Sequence, residues 1–393
     1  MKRVLIIGAS ILQMPAIIKA KELGYYVATV DYNPNAIGIS YADEFYEVST
    51  IDIEAVSNVA KVFKADGVMT LATDMPMRSV ARATELCGLP GINMETAIKA
   101  TDKGEMIKAF EANGVAHPWY HIVCDEKVLE SIKDKIEYPC IMKPLDNAGS
   151  RGVVLINSLE ELKKKYEYSV RESRNGGVII EEYLVGPEVS VEVMVVNGVV
   201  NILQVTDKIT TGAPHFVEMG HTQPSRLREG EVNAIKDIAS RAVKAIGIEK
   251  GPAHVEIKIT DKGPKMIELG ARMGGDCITT HLVPLSTGID MVRSTIEIAC
   301  GEETDIKPKY SKGAAIRYFK TSSGVIKSIS GIEEAKKLPG VKEISFVKKT
   351  GDSVGNIDSS VDRIGFVIAQ GEDADEAEAI CEAVMKLIVI EVD

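Results

Sequence analysis

The sequence predicts a protein of several domains, with an α/β part, a central α+β part and a small C-terminal α+β module. Residues 1–95 alternate apolar, strand-like runs with helix-like segments. From residue 96 to about 300 many strand-like runs come in pairs joined by short glycine-containing turns, and residues 301–393 hold four such runs and a final helix. A chain of 393 residues has room for two or three domains. We therefore expect three domains, 1–95, 96–300 and 301–393.

The first domain begins with a β-α-β pattern. Val4 to Ile7 is an apolar run typical of a buried parallel strand, and Gly8-Ala9-Ser10 predicts a tight turn into a helix. The next strand, Val27 to Val30, ends at Asp31. This pattern predicts a Rossmann-like domain, but the G-x-G-x-x-G spacing is absent, which argues against NAD binding.

Two polar residues follow the clearest strand of this domain, Gly67 to Leu71. Thr73 and Asp74 lie at its carboxyl end, where open α/β sheets bind their ligands. Both are therefore candidates for a substrate contact. The favoured interpretation is that they cap the next helix.

Composition excludes several classes of function. The hydrophobic share of 45% and charged share of 26% are typical of a globular protein with a sizeable core. A net charge of −11 argues against a general nucleic-acid binder and against binding to an anionic membrane surface. The apolar run at the N-terminus, which ends at Gly8, is too short for a signal-peptide core, and no apolar stretch is long enough for a membrane span.

The cysteines indicate a reducing compartment. No C-x-x-C pair occurs, and several of the six lie in apolar runs, so we expect buried free thiols rather than disulfides or a zinc site. This favours a cytoplasmic protein. The six residues are Cys87, Cys124, Cys140, Cys277, Cys300 and Cys381.

A strand followed by a glycine-rich loop lies at residues 139–153. The apolar run before it delivers Lys143 to the strand end, and Gly149 and Gly152 bracket Ser150 and Arg151. Such a loop can bring backbone N–H groups close to a phosphate chain, with the lysine as a point charge beside it. The order of residues is not that of Walker A, and an ordinary strand-turn-strand hairpin would use the same residues.

Two acids lie on a predicted hairpin. His254, Glu256 and Lys258 share one strand face, and Glu268 lies on the following strand beyond a short turn, Asp261-Lys262-Gly263. Two adjacent carboxylates repel unless something neutralises them, and Mg²⁺ bridging nucleotide phosphates would do so. A surface hairpin with incidental acids is the alternative, which the apolar neighbours disfavour. Arg272 at the next glycine turn could hold a transferring phosphoryl group.

This ordered set resembles the ATP-grasp superfamily over about residues 96 to 300, with a small lid subdomain at about 119–184. The resemblance implies that Lys103 and Lys143 bind ATP phosphates under the loop Ser150-Arg151-Gly152, and that Glu188 takes the ribose hydroxyls. It implies that the hinge Glu181, Tyr183 and Leu184 holds adenine, mainly through backbone groups, and that Glu256 and Glu268 bind Mg²⁺. Many members carry Asn where this chain has Gly270, so the metal shell is expected to be completed differently.

A finer resemblance is to the L-amino-acid ligase (dipeptide synthetase) branch. It rests on the segment Phe216 to Pro224, on the Glu-Leu-Gly-Ala-Arg ending at Arg272, and on the C-terminal module. It implies that Glu218, as a further metal ligand, and His221 lie at the metal and amino-acid end of the site, and that Arg272 stabilises the intermediate. Without it, His221 would be interpreted as an ordinary loop histidine.

These resemblances imply an ATP-dependent carboxylate–amine ligase that works through an acyl phosphate and releases ADP and phosphate. The expected cofactors are ATP and Mg²⁺, with Mn²⁺ as a substitute, and the substrates are a small-molecule carboxylate and amine, which could be amino acids. A homodimer is expected from the family alone. Two alternatives stay open: a purine-pathway or carbamoyl-phosphate-type enzyme using formate, bicarbonate or a ribosyl amine, and a nucleotide-binding subunit that does not catalyse.

Overall fold

The computed structural model describes residues 1–147, 149 and 151–393. Its N-terminal region is built on a parallel sheet. Its strands are β1 (Arg3–Ile7), β2 (Tyr26–Asp31), β3 (Glu44–Glu47) and β4 (Gly67–Met69). Its helices are α1 (Met14–Glu22), α2 (Ile53–Phe63) and α3 (Met77–Cys87). The strand order β3-β2-β1-β4 is parallel throughout and confirms the predicted Rossmann-like arrangement.

Two helices, α4 (Met94–Thr101) and α5 (Lys103–Ala112), lead to a small antiparallel sheet. Its strands are β5 (Tyr120–Val123), β6 (Cys140–Pro144), β7 (Val154–Ile156) and β8 (Val178–Glu182), in the order β5-β8-β6-β7. Helices α6 (Glu126–Ile132) and α7 (Leu159–Glu172) accompany it. The buried side chains of Met142, Ile156 and Leu162 lie in one cluster, so α7 and the sheet share a core.

The largest sheet has eight antiparallel strands. Five come first: β9 (Glu188–Val196), β10 (Val199–Thr210), β11 (Glu218–Gln223), β12 (Gly251–Thr260) and β13 (Gly263–Gly270). Helix α8 (Glu229–Ile246) packs on them through residues such as Ile235 and Val243. The elements that follow are α9 (Val283–Thr287), α10 (Met291–Ala299), β14 (Gly313–Tyr318), β15 (Gly324–Ser330), α11 (Ile332–Ala335), β16 (Val341–Phe346), β17 (Ser353–Val354), β18 (Gly365–Gly371), α12 (Ala374–Leu387) and β19 (Val389–Val392).

The large sheet continues across the boundary expected near residue 300. Its order is β13-β12-β9-β10-β11-β14-β18-β16, so three strands of the last 93 residues extend it, while β17-β15-β19 form a separate small sheet. Pairing of Thr222 with Ala315 joins the two parts and satisfies backbone groups that an open sheet edge would expose. Among the helices of the described residues, none has the length and apolar character needed to cross a bilayer.

Several elements differ from the sequence expectations. The sequence predicts a strand from Val199 to Val205, but β10 runs on to Thr210, because polar residues there still pair with β11. The strand β11 itself was not predicted, since Glu-Met-Gly-His-Thr-Gln has no alternation of apolar residues. The expectation of buried thiols is wrong for Cys124, which is exposed just before the cap of α6.

Candidate active site

An open cavity with about 960 Å³ of empty space lies between the small sheet and the large one. Strands β6 and β8 line one side and strands β9, β10, β12 and β13 line the other. The residues predicted from the sequence that line it are Lys103, Lys143, Arg151, Glu181, Tyr183, Leu184, Glu188, Glu218, Glu256 and Glu268. The fold therefore brings together side chains that are up to 165 residues apart in the chain.

One part of the cavity is lined by apolar side chains. Ile141, Val153, Leu184 and Met266 line it. The Phe216 ring lies with its centroid 6.4 Å from that of Tyr183. Aliphatic and aromatic walls of this kind suit a flat, aromatic ligand ring.

Two lysines enter the cavity from different elements. Lys143, at the end of β6, is buried with its Nζ 2.5 Å from Glu181 Oε2. Burial would lower the pKa of Lys143, but the Glu181 carboxylate outweighs it and raises that pKa above the ordinary value. Lys103 Nζ, from the first turn of α5, donates to the Asn147 carbonyl at 2.8 Å and lies 3.2 Å from Glu268 Oε1. Both lysines thus present a positive charge to a bound anion.

The glycine loop lies at the rim of this cavity. Gly149 and Arg151 line it, and Ser150 lies outside the described residues. Gly152 has φ +76°, and a Cβ there would lie 2.6 Å from Pro144 Cγ, so the position needs glycine both for its dihedral and for space. Gly152 is therefore a structural support of the loop.

Glu256 and Glu268 are direct partners in the β12–β13 pairing, as the hairpin predicted. Lys208 Nζ lies 3.0 Å from Glu256 Oε2, and Lys103 neutralises Glu268. Burial would raise the pKa of Glu256, but Lys208 and then His254 lower it well below the ordinary value, so this carboxylate is ionised.

This pair of acids fits a magnesium ion that shares its shell with phosphate oxygens. Mg²⁺ in nucleotide sites takes one or two carboxylates together with phosphate and water. Within the described part of the chain, no group of three or more His, Cys, Asp or Glu side chains forms a metal site by itself. Glu256 and Glu268 would therefore hold the ion together with the nucleotide.

Lys208 connects three acids of the cavity and was missed in the sequence. Its side chain is 5% exposed, and Nζ lies 2.6 Å from Glu188, 3.0 Å from Glu256 and 3.6 Å from Glu218. Burial would lower the pKa of Lys208, yet these carboxylates raise it well above the ordinary value. In the sequence Lys208 lies just past an apolar, strand-like run, and nothing there distinguishes it from a surface lysine.

A second missed residue, Glu192, lies behind the metal acids. It is fully buried, and its Oε1 is 2.7 Å from Nδ1 of His254, whose Nε2 is 3.4 Å from Glu256. Burial would lower the pKa of His254, but Glu192 raises it to about 9. A Cβ on Gly274 would lie 2.6 Å from His254 Nδ1, so glycine leaves room for this pair. The glutamate in the middle of the valine-rich strand β9 was the available signal.

Arg272 is held by Asp74 of the N-terminal domain. Its Nε and one terminal nitrogen lie 3.0 and 2.7 Å from the two Asp74 oxygens. The favoured interpretation of Asp74 as a helix cap is wrong: α3 has Pro76 at its N-cap and no side-chain cap, because the Asp74 carboxylate is used by Arg272. A Cβ on Gly270 would lie 2.6 Å from Asp74 Oδ1, so this pair occupies the space beside Gly270.

His221 is 1% exposed and does not line the cavity, although it pairs with Lys208 across the β10–β11 ladder. Its Nε2 lies 3.4 Å from Asp276, which binds Arg363 of the C-terminal region at 2.9 and 2.8 Å. Burial would raise the pKa of Asp276, but Arg363 and His221 hold it far below the ordinary value. Asp276 and Arg363 were also missed, since 87 residues separate them.

Comparisons with known proteins match two parts of the chain. Residues 136–280 match the model of an ATP-grasp domain, and residues 317–393 match L-amino acid ligase C-terminal domain 2. The alanine–anticapsin ligase of Bacillus subtilis (strain 168) is 26% identical over 323 residues, covering 76% of this chain and 67% of that protein.

Two solved structures share the fold over the whole chain. The L-amino acid ligase from Bacillus licheniformis has a TM-score of 0.84 at 24% identity, covering 100% of this chain and 99% of that one. The phosphoribosylglycinamide synthetase from Anaerococcus prevotii has a TM-score of 0.80 at 25% identity, with 100% of both chains covered. The chain therefore contains an ATP-grasp domain and a C-terminal domain of the L-amino acid ligase type, and its similarity to these ligases indicates an ATP-dependent ligase.

Proposed function

We propose that this protein joins a carboxylate to an amine through an acyl phosphate, releases ADP and phosphate, and uses amino acids as substrates. One observation carries the proposal: two lysines and two acids from four different elements face the same cavity, beside an apolar slot. This is the set of groups that a magnesium–nucleotide complex needs. The L-amino acid ligase type of the C-terminal domain supports amino acids as substrates.

In this proposal the adenine ring lies in the apolar slot near Tyr183 and Leu184, and Glu188 accepts from the ribose hydroxyls. Lys143, Lys103 and the backbone of the glycine loop bind the phosphates. Glu256 and Glu268 hold Mg²⁺, with Glu218 close by through Lys208. When bound, the ion supplies positive charge to the phosphate oxygens during transfer.

The first step moves the γ-phosphoryl group from ATP to an oxygen of the carboxylate substrate. The bond from the γ-phosphorus to the bridging oxygen breaks, ADP leaves, and an acyl phosphate forms. Lys143 and Lys103 stabilise the charge that spreads over the phosphoryl oxygens. The acyl carbon now has phosphate as its leaving group, which a free carboxylate lacks.

In the second step the amine attacks the acyl carbon, the C–O bond to phosphate breaks, and the amine loses a proton. Arg272, oriented by both oxygens of Asp74, would stabilise the tetrahedral oxyanion. Water would hydrolyse the acyl phosphate, so the glycine loop would close over it during the reaction.

The experiment is phosphate release by the purified chain with ATP, Mg²⁺ and pairs drawn from the twenty L-amino acids, measured beside formate, bicarbonate and ribosyl amines. Release that requires an amino-acid pair, with a dipeptide found by mass spectrometry, supports the proposal. Release with formate, bicarbonate or a ribosyl amine alone favours the purine-pathway or carbamoyl-phosphate alternative. Binding of ATP without any hydrolysis favours the non-catalytic alternative. The same assay with Mn²⁺, and light scattering for a homodimer, test the remaining expectations.

A further inference from the structure

A second pocket, with about 970 Å³ of empty space, adjoins the nucleotide cavity. Lys103, Asn147 and Glu268 line both, so they form the wall between them. The rest of the second pocket is formed mainly by the N-terminal domain and by the segment after α7. An occupant of this pocket would lie beside the phosphate and metal end of the site, where a second substrate is needed.

The acids of this pocket are already engaged. Asp74 binds Arg272 through both oxygens, and Glu268 is paired with Lys103. Asp146 accepts from the Ser173 hydroxyl at 2.9 Å and from two backbone N–H groups. The oxygens of these acids are therefore held by partners other than the side chains of Arg78 and Arg174.

Two arginines of the pocket have no acid partner in the described part of the chain. Arg78 Nε donates to Thr101 Oγ1 at 2.8 Å, and no described carboxylate lies within 4.0 Å of its guanidinium. The Arg174 guanidinium likewise has a neutral partner, the sulfur of Met75. Both guanidinium groups are therefore left without a carboxylate partner among the described residues, although acids line the same pocket.

A buried hydroxyl at the start of α3 points to the same ligand chemistry. Ser79 is 0% exposed, lines the pocket, and its Oγ has no hydrogen-bond partner. It lies in the first turn of an 11-residue helix whose N-terminus no side chain caps. A hydroxyl without a hydrogen-bond partner, a helix N-terminus without a side-chain cap and an arginine without a carboxylate partner together suit an anion.

We propose that this pocket binds the carboxylate of the amine substrate through Arg78, Ser79 and the N-terminus of α3, with Arg174 at the rim. The amine substrate would then be an α-amino acid or another amine with a carboxylate. The assignment of the ligand as the amine substrate rests on the proposed function, whereas the binding of a carboxylate in this pocket does not. A molecule anchored at Arg78 extends toward Glu268, which lines the same pocket, and so presents its amine near the acyl phosphate.

The test compares Arg78→Met with Arg82→Met, which lies four residues further along α3, has a side chain that is 42% exposed and does not line the pocket. Each is assayed with L-amino acids as amine substrates and with the matching carboxamides, which lack the charge. For Arg78→Met we expect KM for the amino acid to rise about 10- to 100-fold, with little change for the carboxamide or for ATP. Arg78→Lys should restore part of the affinity, and Arg82→Met should match the wild type.

Direct binding separates this inference from the ligase assignment. Calorimetry with the L-amino acids and their carboxamides, in the presence of a non-hydrolysable ATP analogue, requires no turnover. An amino acid that binds the wild type at least tenfold more tightly than Arg78→Met supports the pocket assignment, even if no pair releases phosphate and the ligase proposal fails. Three results would overturn it: equal loss for acid and carboxamide, no loss in Arg78→Met, or no binding of any L-amino acid.

Discussion

The two adjoining pockets differ in whether their cationic side chains are paired with carboxylates. In the nucleotide cavity Lys103, Lys143 and Lys208 each lie within 4.0 Å of a carboxylate, whereas Arg78 in the second pocket donates only to a threonine. A magnesium–nucleotide complex carries its own cation, so the acids there can exchange a lysine partner for the metal ion. A free carboxylate carries none and needs an arginine that is not already neutralised. The difference indicates that the two pockets are built for different ligands.

The largest effect is expected where the nucleotide cavity loses a charge that the reaction uses. Lys143→Ala and Glu268→Ala should each lower kcat by at least about a thousandfold, because the transferring phosphoryl group loses a cation or the metal a ligand. Coupled measurement of ADP release checks this, with circular dichroism to show that the fold survives. Lys133→Ala, which lies just after helix α6 and pairs with Glu130, is the control. Turnover close to that of the wild type in both variants would refute the assignment.

A smaller effect is expected when Lys208, one of the lysines paired with carboxylates in the first cavity, is removed. Lys208→Met leaves Glu188, Glu218 and Glu256 without their shared cation, so the free energy of unfolding should fall by about 3–5 kcal/mol at pH 7.5. Lowering the pH to about 5.5 should recover part of it, because burial raises the pKa of the Glu256 carboxyl once Lys208 is gone, so that this group takes up a proton. Urea unfolding at both pH values measures this, with Lys262→Met at the exposed hairpin turn as the control. Equal stability of Lys208→Met and the control would contradict the account.

The smallest of these effects concerns Asp276, away from both pockets. Asp276→Asn should lower the free energy of unfolding by about 2 kcal/mol at pH 7, since Arg363 loses a charged partner. The pKa of Asp276 in the folded chain lies below its ordinary value of 3.8, so the stabilisation is present above that pH and is lost as the pH falls. The difference between wild type and variant should therefore shrink below about pH 4. A difference that stays constant down to pH 2 would rule out this linkage.

Local patterns in the sequence predicted much of the nucleotide cavity. The turn at residues 261–263 and strand periodicity were enough to place Glu256 opposite Glu268, and the apolar run before Lys143 predicted the end of β6. The Rossmann-like N-terminal domain could be predicted equally well, because buried parallel strands are continuous apolar runs in the sequence.

The contacts that hold the cavity residues in position could not be predicted in the same way. Asp74 and Arg272 are 198 residues apart, and Lys208 and Glu256 are 48 apart on strands separated by β9. No local periodicity encodes which strands become neighbours, so a residue such as Glu192 looks like any polar residue in a strand until β12 pairs beside it. Arg78 likewise becomes notable only when the acids around it are seen to be engaged elsewhere.

The most direct test of the central claim is a crystal structure with Mg²⁺ and a non-hydrolysable ATP analogue. We expect a metal ion between Glu256 and Glu268 that also contacts the nucleotide phosphates, with Lys103 and Lys143 at the phosphate oxygens and the base beside Tyr183. A nucleotide bound elsewhere, with both acids facing solvent and no metal between them, would contradict the account.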